Sequence, residues 1–82
     1  MSDRIYAEIG EERSRQDIQW GGPEHDDEHG PDEWCEYIGL QLYRAEKAAN
    51  WEGTMREYRE RLIKIAALSV AALESLDRQL VT

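Results

Sequence analysis

The stretch Gln19-Trp20-Gly21-Gly22-Pro23-Glu24-His25-Asp26-Asp27-Glu28-His29-Gly30-Pro31-Asp32-Glu33-Trp34 decides how this chain folds. It holds both histidines, both prolines, two of the three tryptophans and three of the six glycines among 82 residues. Gly21-Gly22-Pro23 ends whatever helix precedes it. Glycine supplies the positive φ of a helix exit, and proline cannot continue a helix. Pro31-Asp32-Glu33 starts the next one. Proline is favoured at the first helical position, and early acids suit the positive end of the helix dipole. The stretch is an ordered joint between two helices.

Upstream, the pattern predicts helix one over about residues 3–18. Ser2 or Asp3 caps it, and Ile5 and Ile9 stand one turn apart with Tyr6 beside them. Gly10, which costs roughly 1 kcal/mol against alanine inside a helix, is the place where it can bend. Beyond Gly10 the segment is almost wholly polar, and Glu8, Glu11, Glu12 and Arg15 pair at spacings of three and four. These acids read either as a solvated face or as groups aimed at a shared ion. Trp20 is expected to anchor the joint on the core.

Downstream, helix two is expected over about residues 31–49, with Trp34, Ile38, Leu42, Ala45 and Ala49 as its stripe and Leu40 and Tyr43 alongside. Cys35 reads as a small buried hydrophobe. Thr54-Met55-Arg56-Glu57 is a capping box. It opens helix three, over about residues 55–78, with Tyr58, Leu62, Ile65, Ala72 and Leu76 on one face. From Ile63 to Leu76 this helix is apolar nearly all round, and such a helix is buried on several faces. Two short partners cannot wrap it. The expectation is a homo-oligomer, most simply a dimer, with Leu62, Ile65, Leu68, Val70, Ala72 and Leu76 at its centre. The fold class is all-α: one domain over residues 1–82, a three-helix hairpin-type bundle with an ordered loop between helices one and two, completed by oligomerisation.

Charge narrows the function. The chain carries −8, and residues 1–36 hold twelve acids against three bases. Phosphate contact needs clustered Lys and Arg, so direct nucleic-acid binding is not expected. The acidic half suits a metal, a basic protein partner or imitation of a nucleic acid, besides keeping a small protein dispersed. Glu8, Glu11, Glu12, Glu24, Glu28 and Asp32 would form that surface. The basic stripe Arg56, Arg59, Arg61 and Lys64 reads as a solvated helix face, or as the partner of a neighbour's acids or a bound anion. One cysteine excludes an internal disulfide framework, and no apolar run is long enough to span a membrane, so the expected place is a reducing cytoplasm.

Two constellations carry chemistry. His25, Asp26, Asp27 and His29 combine imidazole and carboxylate, which suit Zn or Mn. If the joint makes one helical turn, the two histidines share a face. The alternative is local: Asp26 and Asp27 form Asx-turns while the histidines cover Trp20 or Trp34. The second constellation is a pair of helical acid motifs, Glu33/Glu36 and Glu74/Asp77. Facing each other, they would hold Mg²⁺ against a nucleotide's phosphates. This spacing resembles that of the MazG-like all-α nucleotide pyrophosphohydrolases, although their motifs lie closer together in sequence.

A longer pattern joins these parts. Glu12-Arg13-x-Arg15-Gln16-Asp17-x-x-Trp20-Gly21, His25-Asp26-Asp27-x-His29, Asp32-x-Trp34 and Tyr58-Arg59-x-x-Leu62-x-Lys64-x-Ala66-Ala67-Leu68-x-Val70-Ala71-Ala72-x-Glu74-Ser75-x-Asp77-Arg78 resemble a group of small phage and prophage proteins, some loosely MazG-like. The resemblance spans all but about residues 37–54. It implies a viral origin, the cytoplasm of a host cell and a helical fold, and carries over no catalytic residue. Two classes of function follow. One is an accessory protein that acts by binding a host protein or a nucleotide ligand, as an anti-defence inhibitor such as an anti-CRISPR or a sink for a nucleotide signal. The other is a metal-dependent nucleotide pyrophosphohydrolase. No complete active site can be written from these residues, which favours the binder.

Overall fold

The computed structural model describes residues 2–51 and 53–80. These residues form four helices and no strand: α1 (Asp3–Trp20), α2 (Gly22–Asp26), α3 (Pro31–Asn50) and α4 (Met55–Leu80). The all-helical class expected from the sequence is the observed one, with one more helix than expected. The joint after α1 winds into the single turn α2 instead of remaining a loop. Gly21 and Gly22 make this abrupt restart feasible with φ of 108° and 74°, a region that residues with a Cβ rarely enter. The Gly21 N–H closes α1 on the Asp17 carbonyl at 2.9 Å. Gly10 does not interrupt α1.

Helices α3 and α4 form the central antiparallel hairpin. The Thr54 hydroxyl accepts from the Glu57 N–H at 3.1 Å, the expected cap, while the Glu57 carboxylate lies 3.7 Å from Arg61. At the hairpin turn the backbone of Gly53 runs so close to α3 that an added Cβ would sit 2.8 Å from the Ala48 Cα. The buried apolar residues are Trp34, Ala45, Ala48, Ala67 and Ala71. Small side chains let the two backbones approach closely, and they also leave little apolar volume enclosed. The α3 stripe is thus shifted from the expected one: Ala48 replaces Ala49 as the buried residue, and Leu42 is exposed. Cys35, expected inside, is also exposed.

Helix α1 lies against α4 and contributes no buried residue. Its attachment is largely ionic: Arg59 grips Glu8 (Nη1 to Oε1, 2.8 Å), Lys64 reaches Glu12 (3.4 Å) and Arg13 reaches Glu74 (3.4 Å). Among the described residues α1 and α3 both pack on α4 but not on each other. A cleft results. The radius of gyration is 13.5 Å, against roughly 11.7 Å for a compact chain of this length. None of the described helices is long and apolar enough to cross a membrane.

Candidate functional site

The cleft between α1 and α3 is floored by α4 and closed at one end by α2. It encloses about 590 Å³, within the range of small-molecule pockets. Its two ends differ in chemistry. At the α2 end stand five rings: Trp20, His25, His29, Trp34 and Tyr37. Further along stand four cations, Arg15, Arg44, Arg61 and Lys64, with the amides of Gln16, Gln19 and Gln41. Glu12 and Asp26 are the only carboxylates among the lining residues, so with neutral histidines the lining carries +2 in a chain of −8.

The cations are held in place but not spent. Arg61 donates to the Gln41 side chain at 3.1 Å, and its Nε is buried without a hydrogen-bond partner among the described residues. Arg44 has no ion-pair partner among the described residues. Arg15 and Lys64 share Glu12. Burial pushes the Glu12 carboxyl up, but the Arg15 hydrogen bond and the Lys64 charge outweigh it, and the net is below its ordinary value. Glu12 therefore stays ionised and positions two cations at the cleft wall.

The ring cluster is built by the joint. One turn of α2 followed by the turn to Gly30 brings His25 and His29 onto one face, with 3.2 Å between their Nε2 atoms. His29 Nδ1 lies 2.8 Å from Glu33 Oε2, and the Gly30 N–H donates to the other Glu33 oxygen at 3.5 Å. These two bonds hold the Glu33 carboxyl below its ordinary value, the imidazole contributing most. The His29 ring meets Trp34 and Tyr37 edge-on, with centroids 5.4 and 5.2 Å away. Trp34 is buried, as expected of a docking residue. Trp20 is 56% exposed and anchors no core. It stands at the cleft mouth, nearly parallel to His25.

The two aspartates between the histidines turn elsewhere. Asp27 faces α4, where it accepts from the buried Ser75 hydroxyl at 2.8 Å and from Arg78 Nη2 at 2.7 Å. Asp26 is buried, with Arg13 at 3.6 Å and its Oδ2 lacking a hydrogen-bond partner among the described residues. Burial raises its carboxyl above the ordinary value, against the charge of Arg13. No group of three or more His, Cys, Asp or Glu suited to a metal ion occurs among the described residues. Of the four expected ligands, the structure brings together His25 and His29.

The other expected residues are scattered. Glu33 serves His29 and Glu74 serves Arg13, so the two helical acid pairs are engaged by different partners. Arg78, which the sequence placed beside Glu74 and Asp77, crosses instead to Asp27. In the acidic surface, Glu8 and Glu12 are taken up by Arg59 and Lys64. Glu11, Glu24, Glu28 and Asp32 remain exposed. The sequence does not show that Arg15, Arg44, Arg61 and Lys64 share one cleft. Arg61 and Lys64 read from the sequence as part of a solvated stripe, or as partners of a neighbour's acids or a bound anion, but nothing in their spacing says that α1 and α3 stand apart above them. Arg44 gave no signal at all.

Comparison of the chain with protein-family models, with curated proteins and with solved structures returns no match.

Proposed function

We propose that this protein acts by binding, and that its α1/α3 cleft holds a nucleotide. The observation that carries this reading is the division of one 590 Å³ cleft into an aromatic end and a cationic end. A nucleotide has the same two halves. Its base stacks on aromatic faces, an interaction of about 1–3 kcal/mol per base. Its phosphates suit guanidinium groups, which match them in two-pronged geometry. The phage origin implied by the sequence pattern gives such binding a use: a nucleotide that is held is withdrawn from a host's signalling pool.

The test is calorimetric titration with a panel of mono-, di- and cyclic nucleotides, alongside tryptophan fluorescence from Trp20 and Trp34. Binding at micromolar concentration is expected, weakened at least tenfold by Arg44→Ala or Arg61→Ala. Absence of binding at millimolar nucleotide, or equal affinity in the arginine variants, would remove this reading. Covering a basic host channel is less well supported, because Glu8 and Glu12 are already neutralised within the chain. So is the pyrophosphohydrolase, which needs Glu33, Glu36, Glu74 and Asp77 on one magnesium ion.

The same chain is proposed to work as a homodimer. Its accessible surface is 5995 Å², whereas a compact monomer of 9.6 kDa exposes about 5,100 Å². The excess is close to the ~800 Å² that each partner contributes to a standard interface. Part of it lines the cleft. Another part is a stripe on α4 at alternating spacings of four and three: Leu62, Ala66, Ser69, Leu73, Leu76 and Leu80. All four leucines are exposed, and this spacing is the seam of a helix packed on a second helix. Within the expected oligomer core, Leu62, Val70 and Leu76 are exposed while Ile65, Leu68 and Ala72 are half-buried. The outward stripe, extended to Leu73 and Leu80, is the better candidate for the seam.

A further inference from the structure

We infer that His25 and His29 form a half-site for a divalent transition metal such as zinc, with its open positions turned into the cleft. The inference rests in part on the nucleotide reading, because it assigns an oxygen of the bound phosphate to one open position. Two imidazole nitrogens bound to one tetrahedral zinc, each 2.0–2.1 Å from it, lie roughly 3.3 Å apart. The two Nε2 atoms here are 3.2 Å apart.

The surrounding bonds prepare those atoms as ligands. Glu33 Oε2 at 2.8 Å draws the proton of His29 to Nδ1. That leaves the Nε2 lone pair bare, as in the carboxylate–histidine–metal arrangement that fixes tautomer and ring orientation. Glu28 stands 3.9 Å from His25 Nδ1, beyond hydrogen-bond distance. At 3.2 Å the two Nε2 atoms share one hydrogen bond, and a metal ion would take the place of that single proton between them. Edge contacts with Trp34 and Tyr37 hold the His29 ring. Asp27 is occupied by Ser75 and Arg78, Asp26 turns to Arg13 at 3.6 Å, and neither joins the two histidines in a metal-suited group among the described residues. Two protein donors are fewer than the three of an ordinary catalytic zinc site. The ion alone is therefore held loosely, and an anion that shares it is held better.

The experiment uses untagged, chelator-treated full-length protein, with zinc and ADP as the added species. Zinc affinity is measured by competition with a coloured chelator for the wild type, His25→Ala, His29→Ala and Glu33→Gln, each with and without ADP. Nitrogen NMR of the imidazoles runs in parallel. One zinc per chain is expected, with both Nε2 signals shifting and the Nδ1 protons retained. Each histidine variant should lose at least tenfold in affinity, and Glu33→Gln about tenfold, as outer-shell partners do. ADP should tighten zinc binding at least tenfold in the wild type. Equal zinc affinity in wild type and both histidine variants, or unmoved Nε2 signals, overturns the half-site and leaves only a shared proton between the rings. If ADP still binds those samples, the cleft reading survives that failure. Histidine-dependent zinc binding in a protein that ignores ADP supports the half-site and overturns the assignment of an ADP phosphate to its open position.

Discussion

Asp27 and Arg78, 51 residues apart in sequence, meet in a two-pronged contact, with Arg78 Nε 3.1 Å and Nη2 2.7 Å from Asp27 Oδ1. The buried Ser75 hydroxyl completes the clamp at 2.8 Å. These bonds hold the Asp27 carboxyl below its ordinary value, Arg78 contributing most. They tie α2, and with it the ring end of the cleft, to the last turns of α4.

The first prediction concerns that clamp. Ser75→Ala removes the hydroxyl that donates to Asp27 and accepts from Gln79, and should cost about 1 kcal/mol in denaturant unfolding. It should also raise hydrogen exchange at α2 amides more than at α3 amides. Equal effects on both helices would mean that the clamp does not hold α2.

Two glycines should respond to alanine with opposite signs. An added Cβ at Gly10, inside α1, meets nothing within 4 Å. Gly10→Ala should raise stability by about 0.5–1 kcal/mol through helix propensity. At Gly53 the same atom would press on the Ala48 backbone. Gly53→Ala should lower stability by about 1–3 kcal/mol, as overpacking does. Thermal melting of the two variants beside the wild type decides this.

The α4 stripe predicts a concentration-dependent mass. Light scattering at micromolar concentration should give about twice the 9.6 kDa chain mass. Leu73→Glu and Leu76→Glu should each shift the protein to a monomer, because a charge in a close-packed seam is desolvated without a partner. A wild type that runs as a monomer would end the dimer proposal.

The attachment of α1 predicts a loss of stability in acid. Glu8 lies below its ordinary value of 4.5 because Arg59 bonds to it, and Glu12 lies below the same value once Arg15 and Lys64 overcome its burial. A depressed carboxyl contributes stability above its unfolded value and loses it as pH falls through the folded value. Melting temperature should therefore drop below about pH 4.5, and the drop should be shallower in Glu8→Gln and Glu12→Gln. Salt should weaken the same contacts, since exposed ion pairs are screened. A slope unchanged in both variants would place the acid sensitivity elsewhere.

The sequence made the helices legible, and it left their arrangement largely hidden. Gly21, Pro23, Pro31 and Thr54 mark backbone events that depend only on near neighbours, so the starts and stops of the long helices could be read to within about two residues. The single turn α2 was hidden because five residues give too little periodicity to separate a helix from a loop. The burial of Trp34 could be read from its stripe, whereas the exposure of Trp20, Leu42 and Cys35 could not. Hydrophobicity says that a residue seeks cover, not whether the fold has cover to give. The histidine pair was half visible, since a spacing of four places two rings on one face of a turn. The cations opposite it belong to other helices, and only the gap between α1 and α3 turns Arg15, Arg44, Arg61 and Lys64 into one wall.

That gap has a thermodynamic meaning. A core built on Ala45, Ala48, Ala67 and Ala71 brings backbones together but encloses little oil. The empty volume beside it is where larger side chains would stand in a self-sufficient bundle. A molecule that enters replaces part of the missing interior, so its binding energy is also folding energy. At a hundred times its dissociation constant such a guest adds about 2.7 kcal/mol to the folded state, a large fraction of what holds a chain this short together. The rise in melting temperature of this protein across a library of nucleotides should thus rank its guests without any labelled ligand.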